Sequence, residues 1–227
     1  SAASDVYKRQ LLNDSGANSL LHYASDITRT FPANGKFTTQ QKEIYLIVQE
    51  MQETVLKHLK PGVSFLEMHK LSALIGIKRL NELGLLKGSY DEALEKGVYG
   101  LFYPHGLGHM LGLDVHDMES LGEDMVGYSD AIKREAEFGI SFLRLGKNLE
   151  PGFCITVEPG IYFIPSLIDQ WEAENKYRNF INYDALKTFK GFGGIRIEDN
   201  IVITEGGYRL LGPAIPSTID DIEAVMA

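Results

Sequence analysis

Three of the six histidines of this 227-residue chain lie within the thirteen residues that run from His105 to Asp117. They are His105, His109 and His116. Neutral imidazole is the commonest nitrogen ligand of protein-bound metals, and it is the one side chain that titrates near neutral pH without perturbation. The cluster therefore indicates metal binding or proton transfer, against the simpler alternative of histidines satisfied by neighbours in a core or loop.

The four-residue spacing of His105 and His109 would place both rings on one face of a helix, as in the HExxH zinc peptidases. Two residues argue against that arrangement. Gly106 stands where the motif requires a glutamate as general base, and Gly106 and Gly108 each disfavour a helix by about 1 kcal/mol. The segment is therefore not expected to form a helical zinc motif.

Two later segments supply carboxylates from β-strand patterns. In residues 153–160 a period of two places Glu158 on the polar face of a strand that a Pro-Gly pair then ends. In residues 193–204 the same period places Arg196 and Glu198 on the polar face. Taken singly, each carboxylate is best interpreted as a solvated charge, because charged residues usually face water.

A third polar segment lies near the start of the chain. Gly16 and Asn18 mark a turn, which places Asp14 and Asp26 on neighbouring strands of a predicted hairpin. Alone, this pattern also fits the polar outer face of a β-ribbon.

Together these segments hold four carboxylates and one imidazole, namely Asp14, Asp26, His109, Glu158 and Glu198. Such a hard, oxygen-rich set suits two divalent ions of the Mn²⁺, Fe²⁺, Co²⁺ or Zn²⁺ kind that share carboxylates. It does not suit a single thiolate-bound structural zinc.

Four motifs in this order carry a family resemblance that runs from about Leu11 to about Gly212. They are Asp14 followed by SDITRT, HGLGH followed by GLDVHD, EPGIY, and GGIRIED. The set resembles the catalytic domain of the proline-specific metallopeptidases, Xaa-Pro aminopeptidase and Xaa-Pro dipeptidase. The resemblance implies the α/β pita-bread fold and a dinuclear metal site, usually manganese, with cobalt, zinc and iron as alternatives.

The resemblance also implies a role for each ligand. Asp14 would bind one ion, Asp26 and Glu198 would bridge both, and His109 and Glu158 would complete the other. The implied substrates are small peptides with proline at the second position, and the implied reaction is hydrolysis of the Xaa-Pro bond by a metal-bridging water.

Four residues are implied as catalytic. His105 and His116 would hold substrate and stabilise the tetrahedral intermediate, and Arg196 would steady the site around Glu198. Glu158 would also carry a proton to the leaving proline nitrogen. The alternative is a catalytically inactive pita-bread binding or interaction module, because a fold alone does not confer activity.

The start of the chain departs from the family pattern. Members usually carry an N-terminal domain that helps to form a homodimer, then a helical stretch and a strand with a further substrate-site histidine. In this sequence Asp14 follows ten residues without strand or helix period. We therefore expect residues 1–10 to be a foreign leader and residues 11–227 to be an N-terminally truncated pita-bread domain, which lacks strands that would pair near Asp14.

Composition fits a single α/β enzyme domain, with 44% hydrophobic and 23% charged residues. A net charge of -9 argues against nucleic acid or an anionic membrane as partner. The single cysteine excludes an internal disulfide, and the sequence shows neither a signal peptide nor an apolar run of about 18 residues. The cytoplasm is therefore the expected compartment.

Helices are predicted between the site segments. They run from Thr38 or Thr39 to Pro61, from Ser64 to Gly84 and from Ser89 to Lys96. Along the second, Leu71, Leu74, Ile75 and Leu80 should face inward, and His58 and His69 should be surface or interface residues. Residues 163–192 are expected to form an irregular functional connection, and residues 213–227 a short acidic terminus.

Overall fold

A computed structural model describes residues 9–227 of the chain. Eight of the ten residues predicted as a foreign leader lie outside the described residues, and the last of the ten, Gln10, begins the first strand. Seven strands lie within the described range: β1 (Gln10–Ser15), β2 (Ile27–Pro32), β3 (Cys154–Val157), β4 (Gly160–Phe163), β5 (Gly193–Arg196), β6 (Asp199–Thr204) and β7 (Gly207–Leu210).

The same range holds seven α-helices: α1 (Thr39–His58), α2 (Phe65–Glu82), α3 (Tyr90–Glu95), α4 (Glu123–Gly127), α5 (Pro165–Ala173), α6 (Tyr183–Leu186) and α7 (Ile219–Val225). Short 3-10 turns occupy Val98–Leu101, Glu119–Leu121, Ile140–Phe142 and Lys187–Phe189. Among residues 9–227, no helix combines the length and the apolar character that crossing a membrane requires.

The central strands form two long extended segments that break at matching points. β3 pairs with β6 up to Val157 opposite Asp199, and β4 pairs with β5 from Gly160 opposite Arg196. Two residues therefore interrupt each segment, and the interruptions lie side by side. Proline within the first interruption has no N–H to donate to a ladder, so regular pairing stops there. β7 extends the sheet beyond β6.

β1 and β2 form the predicted hairpin, with Asp14 opposite Thr28. Asp26 immediately precedes β2, so both aspartates lie at the same end of the hairpin. A bridge between Thr28 and Glu198 attaches the hairpin to the second interruption of the central segments. The predicted hairpin is therefore confirmed, and its polar end meets the break that carries a glutamate.

Helix α1 begins where the sequence predicts. The Thr38 side chain accepts from the backbone N–H of Gln41, and the Gln41 side chain accepts from the backbone N–H of Thr38, which is a complete capping box. An apolar stripe along the helix is fully buried, and it comprises Ile44, Ile47, Val48, Met51 and Val55. This stripe packs on α2 and on β4 and β5.

Helix α2 also begins as predicted, at the Ser64 cap, but it buries a different arc. Of the four residues predicted to face inward, Leu80 is buried as expected, whereas Leu71, Leu74 and Ile75 are only partly buried. Ala73 and Ile77 are buried in their place. The expectation that His69 is a surface or interface residue is wrong, because its ring is fully buried and lies 5.0 Å from the Tyr103 ring. The exposed position of His58 is confirmed.

Two segments are more ordered than expected. The connection between β4 and β5 contains α5 and α6, and its Trp171 is buried with its ring 5.9 Å from that of Phe138. The C-terminal segment ends in α7, where the Glu223 carboxylate accepts from the backbone N–H of Phe37 at 3.0 Å and pairs with Lys36 at 3.1 Å. This ion pair is largely exposed and therefore adds little stability.

Candidate metal centre and catalytic cavity

The HGLGH segment runs beside β3 and is joined to it by backbone hydrogen bonds, although it forms no regular strand. The backbone N–H of Thr156 donates to the His109 carbonyl at 3.0 Å, and that of Glu158 donates to the Leu107 carbonyl at 2.8 Å. A Cβ atom at Gly108 would lie 2.1 Å from the Thr156 carbonyl oxygen. Glycine is therefore required here, because only a residue without Cβ permits this approach of the two backbones.

His109 presents one ring nitrogen to two carboxylates. Its Nδ1 donates to the Met110 carbonyl oxygen at 2.9 Å, so Nε2 is the nitrogen that faces the carboxylates and would bind a metal once it has lost its proton. Nε2 lies 3.5 Å from both Asp26 Oδ2 and Glu158 Oε1, and the residue is only 3% exposed. A carbonyl that fixes the tautomer in this way is typical of histidines that bind metals.

Glu198 carries a carboxylate oxygen without a hydrogen-bond partner. Its Oε2 accepts from the Thr28 hydroxyl at 2.6 Å, whereas its buried Oε1 has none. Ligand atoms of Asp26, His109 and Glu198 all lie within 4.8 Å of one another. A buried, unpaired carboxylate oxygen is costly, and a divalent cation coordinated by these three residues would remove that cost.

The charge balance of the cluster also fits a cation. Burial, with the neighbouring charge of Glu158, raises the pKa of Glu198 to about 8. Burial also raises the pKa of Glu158 and of Asp14. Burial acts to raise the pKa of Asp26 too, but hydrogen bonds to His109 and Asp14 outweigh it and lower that pKa. Without a metal, four adjacent carboxylates resist full ionisation, and metal binding would favour their ionised forms.

Arg196 joins the most exposed candidate ligand to the others. Its guanidinium forms an ion pair with Asp14, whose side chain is 46% exposed. Its Nε lies 3.8 Å from Glu158 Oε2 and 4.0 Å from Glu198 Oε2, and it donates to the Thr28 hydroxyl at 3.0 Å. The structure therefore brings all five candidate ligands into one cluster, with Arg196 as the cation among them.

His105 lies beside the cluster and contacts a tyrosine that the sequence reading did not single out. Its Nδ1 donates to the Gly106 carbonyl at 2.8 Å, and its Nε2 accepts from the Tyr162 hydroxyl at 3.1 Å. Arg196 in turn donates to that hydroxyl at 3.2 Å. Burial lowers the pKa of His105 to about 4, so the ring is neutral at pH 7.

A signal for Tyr162 is present in the sequence. A period of two from Glu158 passes through Gly160 to Tyr162, which puts the phenol on the same face as the carboxylate. A Cβ atom at Gly160 would lie 2.7 Å from the Tyr162 ring, so the glycine makes room for it.

Part of the candidate set lines a cavity of about 990 Å³, whereas Asp14, Asp26 and Glu198 are not among its lining residues. His105, His109, His116, Glu158 and Arg196 line one side of it. The other wall comes from residues 122–144, and it includes Met125, Phe142, Arg134 and Arg144. The mixture of apolar side chains and a few convergent polar groups is typical of small-ligand sites.

His116 lies in this cavity directly against His109, and the two ring centroids are 4.4 Å apart. Burial, followed by the charges of His109 and Arg144, lowers the pKa of His116. The residue is thus an imidazole at the edge of the carboxylate cluster.

Comparison with known proteins agrees with this geometry. Residues 6–205 match the pattern described as metallopeptidase family M24. Xaa-Pro dipeptidase of Rattus norvegicus is 47% identical over 205 residues, which are 90% of this chain and 40% of the relative. The probable Xaa-Pro aminopeptidase pepP of Aspergillus clavatus is 40% identical over 220 residues, covering 97% of this chain and 45% of the relative.

The structure of Zn-substituted E. coli aminopeptidase P in complex with product superimposes on this chain with a TM-score of 0.72 and 39% sequence identity. The match covers 96% of this chain and 41% of that one. The likeness confirms the α/β pita-bread fold that the sequence motifs imply. The chain spans about 40% of the length of the relatives described above. Since the family pattern covers most of its residues, this chain belongs to metallopeptidase family M24.

Proposed function

We propose that this chain carries the catalytic centre of a metal-dependent peptidase that hydrolyses the Xaa-Pro bond of small peptides. The observation that carries the proposal is the buried, unpartnered Oε1 of Glu198. Glu198 lies close to Asp26 and to His109, and His109 lines a peptide-sized cavity. The similar Xaa-Pro dipeptidases and aminopeptidases support the proline specificity.

The proposed ligands are Asp14, Asp26, His109, Glu158 and Glu198. Two divalent ions held there would polarise the scissile carbonyl and lower the pKa of a bound water. The protein's own share is to fix these side chains, to keep His109 in one tautomer through Met110, and to hold Arg196 among the carboxylates. Manganese is the proposed metal, with cobalt, zinc and iron as alternatives.

The remaining cavity residues act on the substrate in this proposal. His116 donates a hydrogen bond to the carbonyl oxygen as negative charge develops there. Glu158 would accept the proton that the attacking water loses and pass it to the leaving proline nitrogen, which has no N–H in the peptide. His105 is held neutral with its Nε2 bound to Tyr162, and it contacts the substrate at the cavity wall.

Arg144 supports a preference for dipeptides. It lines the cavity, and its charge contributes to the lowered pKa of His116. Arg134, the other arginine of this wall, is engaged by Asp124, Glu123 and two backbone carbonyls. Among residues 9–227, the side-chain partners of Arg144 are two carboxylates, those of Glu119 and Glu123. A guanidinium paired in this way can exchange such a partner for the free carboxylate of a C-terminal proline.

The central test is metal removal and restoration. Dialysis against a chelator should abolish release of proline from Xaa-Pro and Xaa-Pro-Yaa peptides, and added Mn²⁺ should restore it. Arg144→Met should raise KM for Xaa-Pro dipeptides more than for Xaa-Pro-Yaa peptides, because only the dipeptide places its carboxylate next to the proline ring. Full activity of the metal-free protein would refute the metal-dependent mechanism. No release of proline by the metal-loaded protein would favour the catalytically inactive binding or interaction module.

Three further properties are proposals, the first from the family resemblance and the other two from the sequence composition and charge. They are a homodimer of the full-length parent protein, a cytoplasmic location, and the absence of nucleic acid or membrane partners. The division into a foreign leader of residues 1–10 and a catalytic domain of residues 11–227 is also a proposal, although Gln10 already donates to the Gly194 carbonyl at 2.8 Å.

A further inference from the structure

Gln52 is a buried polar residue of helix α1 that does not line the catalytic cavity. It is only 4% exposed, and its neighbours along the buried stripe of the helix are apolar. A buried amide must find hydrogen-bond partners to offset its desolvation. Its partners lie at the two interruptions of the central strands, directly before the two glutamates of the candidate metal centre.

One nitrogen atom of Gln52 reaches both interruptions. Nε2 lies 3.1 Å from the carbonyl oxygen of Val157 and 3.4 Å from that of Ile197. Because Asp199 Oδ2 is a third acceptor at 3.1 Å and the amide has two hydrogens, one hydrogen is shared between two acceptors. These carbonyls belong to the peptide groups that lead into Glu158 and Glu198. A single side chain therefore joins the two places where the ladder between the central strands is broken.

The other end of each peptide group is also held. The backbone N–H of Glu158 donates to the Leu107 carbonyl at 2.8 Å, and that of Glu198 donates to the Thr28 carbonyl at 3.0 Å. Because a peptide group is planar, a hydrogen bond at each end determines the orientation of the whole plane. This plane in turn determines the direction in which the glutamate side chain leaves the backbone.

Gln52 is itself held in place by a buried ion pair. Its Nε2 donates to Asp199 Oδ2 at 3.1 Å, and Asp199 Oδ1 pairs with Arg29 at 2.7 Å. Arg29 also donates to the Glu198 carbonyl oxygen at 2.7 Å. The amide is therefore part of a connected network, in which the geometry of each member depends on the others.

We propose that Gln52 is a positioning residue that sets the relative placement of Glu158 and Glu198, and thereby the affinity and spacing of the two metal ions. This inference rests on the metal centre of the proposed function. Groups that orient ligands without touching the metal commonly change metal affinity by about 10–100-fold when they are removed.

The test is Mn²⁺ binding by the full chain with Gln52→Met, which keeps the length of the side chain and removes the amide. The matched control is Gln49→Met on the same helix, because the Gln49 amide donates only to Glu53 at the surface. The Kd for Mn²⁺ should rise about 10–100-fold in Q52M and stay unchanged in Q49M. Low-temperature electron paramagnetic resonance of the Mn²⁺-loaded proteins should show altered exchange coupling in Q52M alone.

A second variant, Gln52→Ala, removes the same amide and leaves room for solvent, and it should change Kd in the same direction. Thermal melting of the metal-free proteins separates folding from positioning. If Q52M and Q52A bind Mn²⁺ with wild-type affinity and coupling, Gln52 does not position the ligands. If neither variant folds, its role is structural and the inference is likewise overturned. If the wild-type protein itself binds no Mn²⁺, the proposed metal centre fails first and this inference falls with it.

Discussion

The hydroxyl of Thr28 donates a hydrogen bond to Oε2 of Glu198 across 2.6 Å, and both residues are almost completely buried. The contact joins β2 to the interruption between β5 and β6, and its two residues are 170 positions apart in the chain. The other carboxylate oxygen, Oε1, is buried and has no hydrogen-bond partner among the described residues.

Thr28→Val should weaken metal binding and stability together. The substitution keeps the shape of the side chain and leaves a second carboxylate oxygen of Glu198 unsatisfied, which costs about 1–3 kcal/mol. Urea unfolding of the metal-free protein measures that loss, and Mn²⁺ titration should show a Kd raised about tenfold or more. Thr204→Val, at the far end of β6, should change neither quantity. Equal behaviour of the two variants would show that the hydrogen bond does not matter.

Gly108→Ala should disrupt the pairing of the HGLGH segment with β3. The added Cβ would lie 2.1 Å from a backbone oxygen of Thr156, which cannot move without opening the strand. A loss of about 1–3 kcal/mol or more in the free energy of unfolding is expected, together with loss of metal, because His109 follows directly. Gly206→Ala is the control, since a Cβ there meets nothing within 4 Å. Wild-type stability of Gly108→Ala would mean that the close approach is not present in solution.

His116→Ala should reduce kcat by about 10² or more and leave the metal content unchanged. The imidazole lines the cavity next to His109, and the loss of one donor to a developing oxyanion typically has an effect of this size. Steady-state kinetics with metal analysis of the same sample distinguishes the two roles. Loss of a metal ion would instead make His116 a ligand.

His69 should make the protein sensitive to mild acid. Burial, the largest cause, lowers the pKa of His69 to about 3 from its usual 6.5. The unfolded chain therefore takes up a proton below about pH 6.5 that the folded chain refuses, so stability is full above that pH and falls as the pH drops toward 3.

The check is the free energy of unfolding of the wild-type protein and of His69→Leu between pH 6 and pH 4. The wild-type value should fall more steeply, by up to about 1.4 kcal/mol per pH unit. Parallel curves would show that His69 is protonated equally in the folded and unfolded states.

Much of the candidate site is predictable from the sequence because its residues lie in locally patterned strands. A period of two places Glu158 and Glu198 on polar strand faces, and the turn at Gly16 predicts the hairpin of Asp14 and Asp26. The start of α1 follows from its capping box, which depends only on residues three apart. These features are decided by backbone geometry over a few residues.

Other features depend on which segments meet in the folded protein. His69 lies on a helix whose apolar residues are spread widely enough that more than one face could pack on the core. In the folded protein the face that carries His69 packs inward, with its ring against that of Tyr103. Arg196 pairs with Asp14 although 182 residues separate them, and Gln52 reaches two strand breaks more than 100 residues away. The sequence by itself therefore determines which polar side chains are present, which strand face each one occupies and where the helices begin. Only the tertiary structure decides the partners of those donors, because hydrogen bonds and ion pairs between distant segments leave no periodic trace in the local sequence.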